Sequence, residues 1–148
     1  MRFDVDTKAS PELARRAFTD FTDHRPRIWN RTLDPRKYEL RELGDTWAVA
    51  REGTAGSPFW VVVRYDWSDP GVIRWTTVES SYGGAGDGLV RITPGTGGGS
   101  HVHAEWENTG ARATQRPLLF LLHLPPMQRL IARLWTTTLD RYAEHERP

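Results

Sequence analysis

The stretch Pro125-Pro126-Met127-Gln128-Arg129-Leu130-Ile131-Ala132-Arg133-Leu134-Trp135-Thr136-Thr137-Thr138-Leu139-Asp140-Arg141-Tyr142-Ala143-Glu144-His145-Glu146 decides the fold. Met127, Leu130, Ile131, Leu134, Trp135, Thr138 and Tyr142 recur at helical spacing and form one apolar stripe. Arg129, Arg133, Thr137, Asp140, Arg141 and Glu144 fall on the opposite side. A long helix with one apolar stripe needs a surface to lie on. The residues before it must therefore supply a sheet or a bundle.

They read as strands. From Lys37 onward the pattern is extended: Tyr38 and Leu40 share a face, and Gly44-Asp45 turns the chain into Thr46–Gly53. Phe59–Trp67 is β-branched and aromatic throughout. Ser68-Asp69-Pro70-Gly71 is a turn, and Val72–Ser81 returns. Leu89–Thr93 and His101–Asn108 follow, joined by the glycine-rich Pro94–Ser100. Tyr82–Gly88 reads as a mobile loop, and Gln115–Leu124 as a further helical segment that Pro125-Pro126 breaks or kinks.

At the other end, Phe3, Val5 and Thr7 alternate with charged residues in a half-buried strand. Ser10-Pro11-Glu12 opens a helix with an N-cap serine and a proline at the first position. Pro26 and Arg27–Trp29 suggest a second short helix. The sum is an α+β fold: a curved antiparallel sheet wrapped around a long C-terminal helix, with two short helices after the first strand.

This layout resembles the START-like, helix-grip superfamily, also called SRPBCC, and within it the polyketide cyclase/dehydrase-like branch. The resemblance spans nearly the whole chain. It rests on the Val5–Phe21 strand and helix, the hairpin Val63-Arg64-Tyr65-Asp66-Trp67-Ser68-Asp69-Pro70-Gly71, and the closing helix. It implies a pocket for a small hydrophobic molecule such as a lipid, sterol, polyketide or aromatic metabolite. It does not carry an activity with it, because folds host many functions.

The bulk numbers set the frame. A length of 148 residues suits one domain, residues 1–148, burying about two-thirds of its unfolded surface. The 20 basic and 19 acidic side chains nearly cancel, so no nucleic-acid footprint is expected. The absence of cysteine removes disulfides and thiolate chemistry. Met1–Lys8 alternates apolar and charged residues, unlike a signal peptide, and Leu118–Leu122 is too short to span a bilayer. A cytoplasmic protein without integral membrane association, monomeric or homodimeric, is the expectation. Seven tryptophans suggest a broad aromatic wall.

Strand parity sorts the wall. Phe59, Val61, Val63, Tyr65 and Trp67 share an inward face. A two- or four-residue turn sets Tyr65 opposite Arg74, which turns Val72, Arg74, Thr76, Val78 and Ser80 inward. Arg74 would then be a buried cation needing either Glu42 or an acidic or carbonyl-bearing ligand. A three-residue loop reverses this, with Trp75 inside and Arg74 outside. Trp29, Trp47 and Trp106 are further wall candidates, and Leu134 and Thr138 face the wall from the helix.

No cofactor or metal is implied. His101 and His103 point outward with Glu105 and Glu107, and the His-x-His spacing lacks a third ligand. His123, in an apolar run, is either a general base at the pocket mouth or a hydrogen-bonded interface residue. No nucleophile elbow occurs, and Gly97-Gly98-Gly99 and Gly83-Gly84-Ala85-Gly86 read as turns rather than phosphate loops. Catalytic residues are therefore unknown. Three readings remain: a binder of a small hydrophobic ligand, a cyclase/aromatase-like enzyme using the same cavity, or an interaction domain whose cavity is filled by aromatics. Two convergent polar groups deep in the pocket would mark the enzyme, and only one inward charge, Arg74, favours the binder.

Overall fold

Arg2–Thr7 forms β1, with Phe3, Val5 and Thr7 buried and the intervening charges exposed. A computed structural model of the protein describes residues 1–122 and 124–146, with Leu119 described by its backbone alone. Ser10 caps α1 (Pro11–Thr19), its hydroxyl accepting from the Leu13 N–H at 3.2 Å. Helix α2 is one turn, Arg25–Ile28, and begins ahead of the expected Arg27. Six strands follow: β2 (Glu39–Leu43), β3 (Trp47–Glu52), β4 (Val61–Asp66), β5 (Val72–Ser80), β6 (Asp87–Pro94) and β7 (Ser100–Trp106). Helix α3 (Arg116–Leu122) precedes α4 (Pro125–His145).

Among the described residues the strands form one antiparallel sheet of order β1-β7-β6-β5-β4-β3-β2. The meander from β2 to β7 runs through neighbours, and β1 closes beside β7. The sheet is curved and α4 lies on its inner face, so the fold is the helix-grip fold expected from the sequence. The β4–β5 hairpin departs from that expectation. Seven residues separate the paired Asp66 and Arg74, so the connection is odd and Tyr65 pairs with Trp75. Gly71 takes a positive φ of 77° at the third position of the turn that the Val72 N–H closes on the Asp69 carbonyl at 3.2 Å. Further along, Val62 pairs with Glu79 and Val63 with Thr77, which leaves Val78 as the extra residue of a bulge, exposed rather than inward.

The core sits between the inner sheet face, α1 and α4. It joins Phe3, Val5, Ala48, Ala50, Ile73, Val90, Ile92, Val102 and Ala104 of the sheet to Ala14, Ala17 and Phe18 of α1. From α4 it takes Leu139 and Ala143, with Ile131, Ala132, Trp135 and Tyr142 packed at its edge. The buried stripe is thus rotated towards Leu139 and Ala143. Leu134, expected at its centre, is only partly buried, and Leu130 is exposed. No described helix is long and apolar enough to cross a membrane.

Candidate functional site

The odd β4–β5 connection decides which side chains reach the space between sheet and helix. It brings Trp75 inward and sends Arg74 outward. One row of inner-face positions then crosses the sheet: Ala48 pairs with Tyr65, Tyr65 with Trp75, Trp75 with Gly88, and Gly88 with Trp106. The aromatic members touch in sequence, Tyr65 to Trp75 at 5.9 Å between ring centroids and Trp75 to Trp106 at 6.0 Å. Such spacings suit tilted or edge-to-face ring contacts. Gly88 makes the row fit. A Cβ there would lie 2.3 Å from the Trp75 ring, so the indole occupies the volume a side chain would take.

Helix α4 closes over one end of this row. Trp135 stacks on Trp106 at 6.0 Å and meets Phe3 at 5.0 Å, Phe18 at 5.3 Å and Trp29 at 5.6 Å. Around Trp135 the wedge is therefore filled by rings. Tyr65, Trp75, Trp106 and Trp135 nevertheless each keep part of their surface exposed, so the row is a wall as well as a core.

At the other end of the row lies a buried charge pair. Ala48, Ala50 and Glu52 alternate on β3, and the Glu52 carboxylate accepts from Arg25 Nε at 2.9 Å and from the Tyr65 hydroxyl. Arg25 Nη1 donates to the carbonyls of Phe18 at 2.8 Å and Asp20 at 3.3 Å. Its guanidinium lies 4.1 Å from the Phe21 ring centroid and 5.3 Å from that of Tyr65. The side chains of Arg25 and Glu52 are only 7% and 12% exposed. Burial by itself lowers the Arg25 pKa, but Glu52, through its charge and its hydrogen bond, outweighs it and holds the guanidinium charged. Burial, reinforced by Glu52, raises the Tyr65 hydroxyl well above its ordinary range, and burial pushes Tyr38 up to about 12. Both phenols are therefore neutral donors, Tyr38 to the Phe21 carbonyl at 2.8 Å.

The residues expected at the site divide. Tyr65, Trp106 and Trp29 lie in the aromatic array, Trp29 buried with its indole N–H donating to the Ala17 carbonyl at 2.9 Å. Trp67 and Val63 are buried, Trp67 stacked on Phe21 at 5.5 Å. Thr138 is buried on α4, beside the cleft between α2 and the end of that helix. Its hydroxyl has no hydrogen-bond partner among the described residues. Leu134 lies outside the packed array. Four expectations are corrected. Arg74 is exposed and pairs with Asp69 at 3.0 Å, because the register turns it outward. Thr76, two residues on, is exposed for the same reason. Trp47 lies on the outer face, opposite in parity to Ala48, under the Arg64 guanidinium at 5.2 Å. Glu42 is exposed on β2 and is not the buried carboxylate.

What the sequence reading missed is Arg25, Glu52 and Gly88, while Trp75 entered it only as the alternative for a three-residue loop. Glu52 had a signal, since it continues the parity of two small inward alanines. Arg25 had none, standing in an irregular segment before Pro26. On the outer face, His101 and His103 bridge Asp4, Asp6 and Glu105 at 2.9–3.0 Å. Among the described residues no group of three or more such side chains is arranged to hold a metal ion. His123 lies outside the described residues. Two surface clefts lie away from the wedge. One, of about 380 Å³ between α2 and the end of α4, is bordered by His24, Arg27, Asn30 and Arg141. The other, of about 320 Å³, lies between α1 and the β4–β5 turn.

No family model matches this chain, and no curated protein matches it. Solved structures share its fold. A START superfamily protein from Mycobacterium smegmatis superposes with a TM-score of 0.73 at 11% identity, covering 98% of this chain and 97% of its own. Norcoclaurine synthase from Thalictrum flavum, in complex with dopamine and hydroxybenzaldehyde, gives 0.71 at 11%, covering 100% and 87%. The Zhui aromatase/cyclase from Streptomyces sp. R1128 gives 0.67 at 18%, covering 98% and 93%. At these identities the likeness is one of fold.

Proposed function

We propose, from the helix-grip fold shared with these START-like structures, that the protein binds a small hydrophobic molecule with a planar or aromatic part. The ligand lies against the inner-face row Tyr65, Trp75 and Trp106, under the first half of α4. The whole chain acts as one START-like domain, as a monomer or homodimer, in the cytoplasm. The observation that carries the reading is the row itself: three neighbouring rings, partly exposed on the concave side of the sheet, with Gly88 leaving room for one of them. Pockets for small molecules are apolar, concave and supplied with few polar groups.

The polar end of the row favours binding over proton-transfer chemistry. Both Glu52 oxygens are engaged, one by Arg25 and one by Tyr65. The Tyr65 hydroxyl is held neutral. A general base must be within reach of the proton it takes, and the Glu52 carboxylate is committed to Arg25 and Tyr65. These groups instead fix the ring of Tyr65 and the α1–α2 connection. The aromatase/cyclase likeness keeps a second reading in view, in which the same wall folds a reactive chain.

The test is tryptophan quenching with 2-naphthol, alongside native mass spectrometry of protein purified from its own host. Saturable quenching by 2-naphthol, and a discrete adduct lost in organic solvent, support the reading. Neither quenching nor adduct would overturn it.

A further inference from the structure

Between Glu107 and Asp140 the sequence contains no acidic residue, yet it carries Arg112, Arg116, Arg129 and Arg133. All four are exposed. The chain as a whole is nearly neutral, at +1, so this is a local concentration of charge. Arg112 and Arg116 donate to backbone carbonyls, those of Ser81 at 2.9 Å and Ala111 at 3.0 Å. Among the described residues no carboxylate forms an ion pair with any of the four. Their charge is left for something outside the chain.

The same segment holds four of the seven large exposed apolar side chains among the described residues. Phe120 is 68% exposed and Leu121 54%, and Leu118 and Leu130 are exposed as well. Among the described side chains of α3, Leu122 packs inward, against the small cluster of Phe59, Tyr82 and Ala111. Large apolar side chains grouped on a surface mark an interaction site. Arginines flanking them in sequence define its chemistry. Guanidinium groups bind phosphate bidentately, and leucine and phenylalanine enter the acyl boundary beneath the headgroups.

We infer that α3 and the first turns of α4 form a docking surface for an anionic phospholipid bilayer. Phe120, Leu121, Leu118 and Leu130 insert at the interface, and Arg112, Arg116, Arg129 and Arg133 contact the phosphates. Insertion into an apolar layer accounts for the protruding side chains, and an anionic layer accounts for the unopposed charge. Leu130 adjoins Ile131, which packs at the edge of the aromatic core, so docking brings the bilayer to the first half of α4. The surface does not depend on the wedge being occupied, and its test needs no ligand.

Flotation of the purified full chain with vesicles separates the terms. One set is phosphatidylcholine and the other phosphatidylcholine with phosphatidylglycerol. Wild type should float with the anionic vesicles, weakly with the neutral ones, and dissociate in high salt. Arg129→Gln with Arg133→Gln should weaken binding roughly tenfold or more, at about 1 kcal/mol per arginine near the surface. Phe120→Ser with Leu121→Ser should weaken it comparably while leaving the melting temperature unchanged, since both side chains are exposed. Leu43→Ser with Val78→Ser, exposed apolar residues elsewhere, should bind as wild type does. No binding to anionic vesicles, equal binding to neutral ones, or equal losses in the Leu43/Val78 control would overturn the inference. So would dimerisation through Phe120 in a protein that ignores vesicles.

Discussion

Replacing Glu52 by alanine removes one half of the buried pair and strands the other. Arg25 Nε lies 2.9 Å from Glu52 Oε2, and neither side chain exceeds 12% exposure. Removing one member of such a pair costs about 3–5 kcal/mol, because a desolvated charge is left without its partner. The Tyr65 hydroxyl loses its acceptor in the same step. For a domain of this length, whose total stability is on the order of 7–20 kcal/mol, that is a large fraction. With a urea slope of about 2 kcal/mol/M, the midpoint should fall by about 1.5–2.5 M. Tryptophan fluorescence in a urea titration reads it, with the slope unchanged. Arg25→Met should cost as much, since it also gives up the Phe18 and Asp20 carbonyls. Combining it with Glu52→Leu should recover at least about 2 kcal/mol of the summed loss, because no charge is then stranded. A Glu52→Ala loss below about 1 kcal/mol, or strict additivity in the double variant, would refute the reasoning.

Other expectations follow from the register. Gly88→Ala places a methyl where the Trp75 ring lies, and should shift the tryptophan emission and weaken 2-naphthol quenching in a protein that still folds. Arg74→Met should change unfolding stability by no more than about 1 kcal/mol, because its pair with Asp69 is solvent-exposed. The outer-face histidines should make stability depend on pH. The His101 pKa is raised by hydrogen bonds to Asp6 and Asp4, and that of His103 by hydrogen bonds to Glu105 and Asp4. Their contribution is complete below the unfolded value of 6.5 and is lost as pH rises through the higher folded values. The lowered pKa values of Asp4 and Glu105 work in the other direction, their contribution fading as the solution becomes more acidic than their unfolded values of 3.8 and 4.5. Melting scans from about pH 5.5 to 8.5 should therefore show a decline that His101→Gln with His103→Gln flattens. An unchanged slope in that variant would remove the histidines from the effect.

The strands and the long helix were legible because hydrophobic periodicity reports them directly. Val5, Val102 and Ala104 point where alternation says they should. The hairpin that fixes the site was not legible, since one residue more in the Ser68–Gly71 connection exchanges Arg74 for Trp75. Periodicity is silent on that residue; the observed pairing of Tyr65 with Trp75 settles it. The same limit hid the rotation of the buried stripe on α4. Leu130 and Leu134 satisfy the spacing, but the sheet meets the side carrying Leu139 and Ala143. Arg25 was beyond reach, because an irregular segment has no parity and its partner is 27 residues away.

Whether the aromatic row takes a planar ligand can be read from the seven indole N–H signals of the protein labelled with nitrogen-15. In a two-dimensional heteronuclear correlation spectrum, titration with 2-naphthol should move the signals of Trp75 and Trp106 first. The signal of Trp135, stacked on Trp106, should follow. The signal of Trp47, on the outer face beneath Arg64, should stay in place. Shifts confined to Trp47, or no shift of Trp75 and Trp106 at saturating 2-naphthol, would contradict a binding wall on the inner face of the sheet.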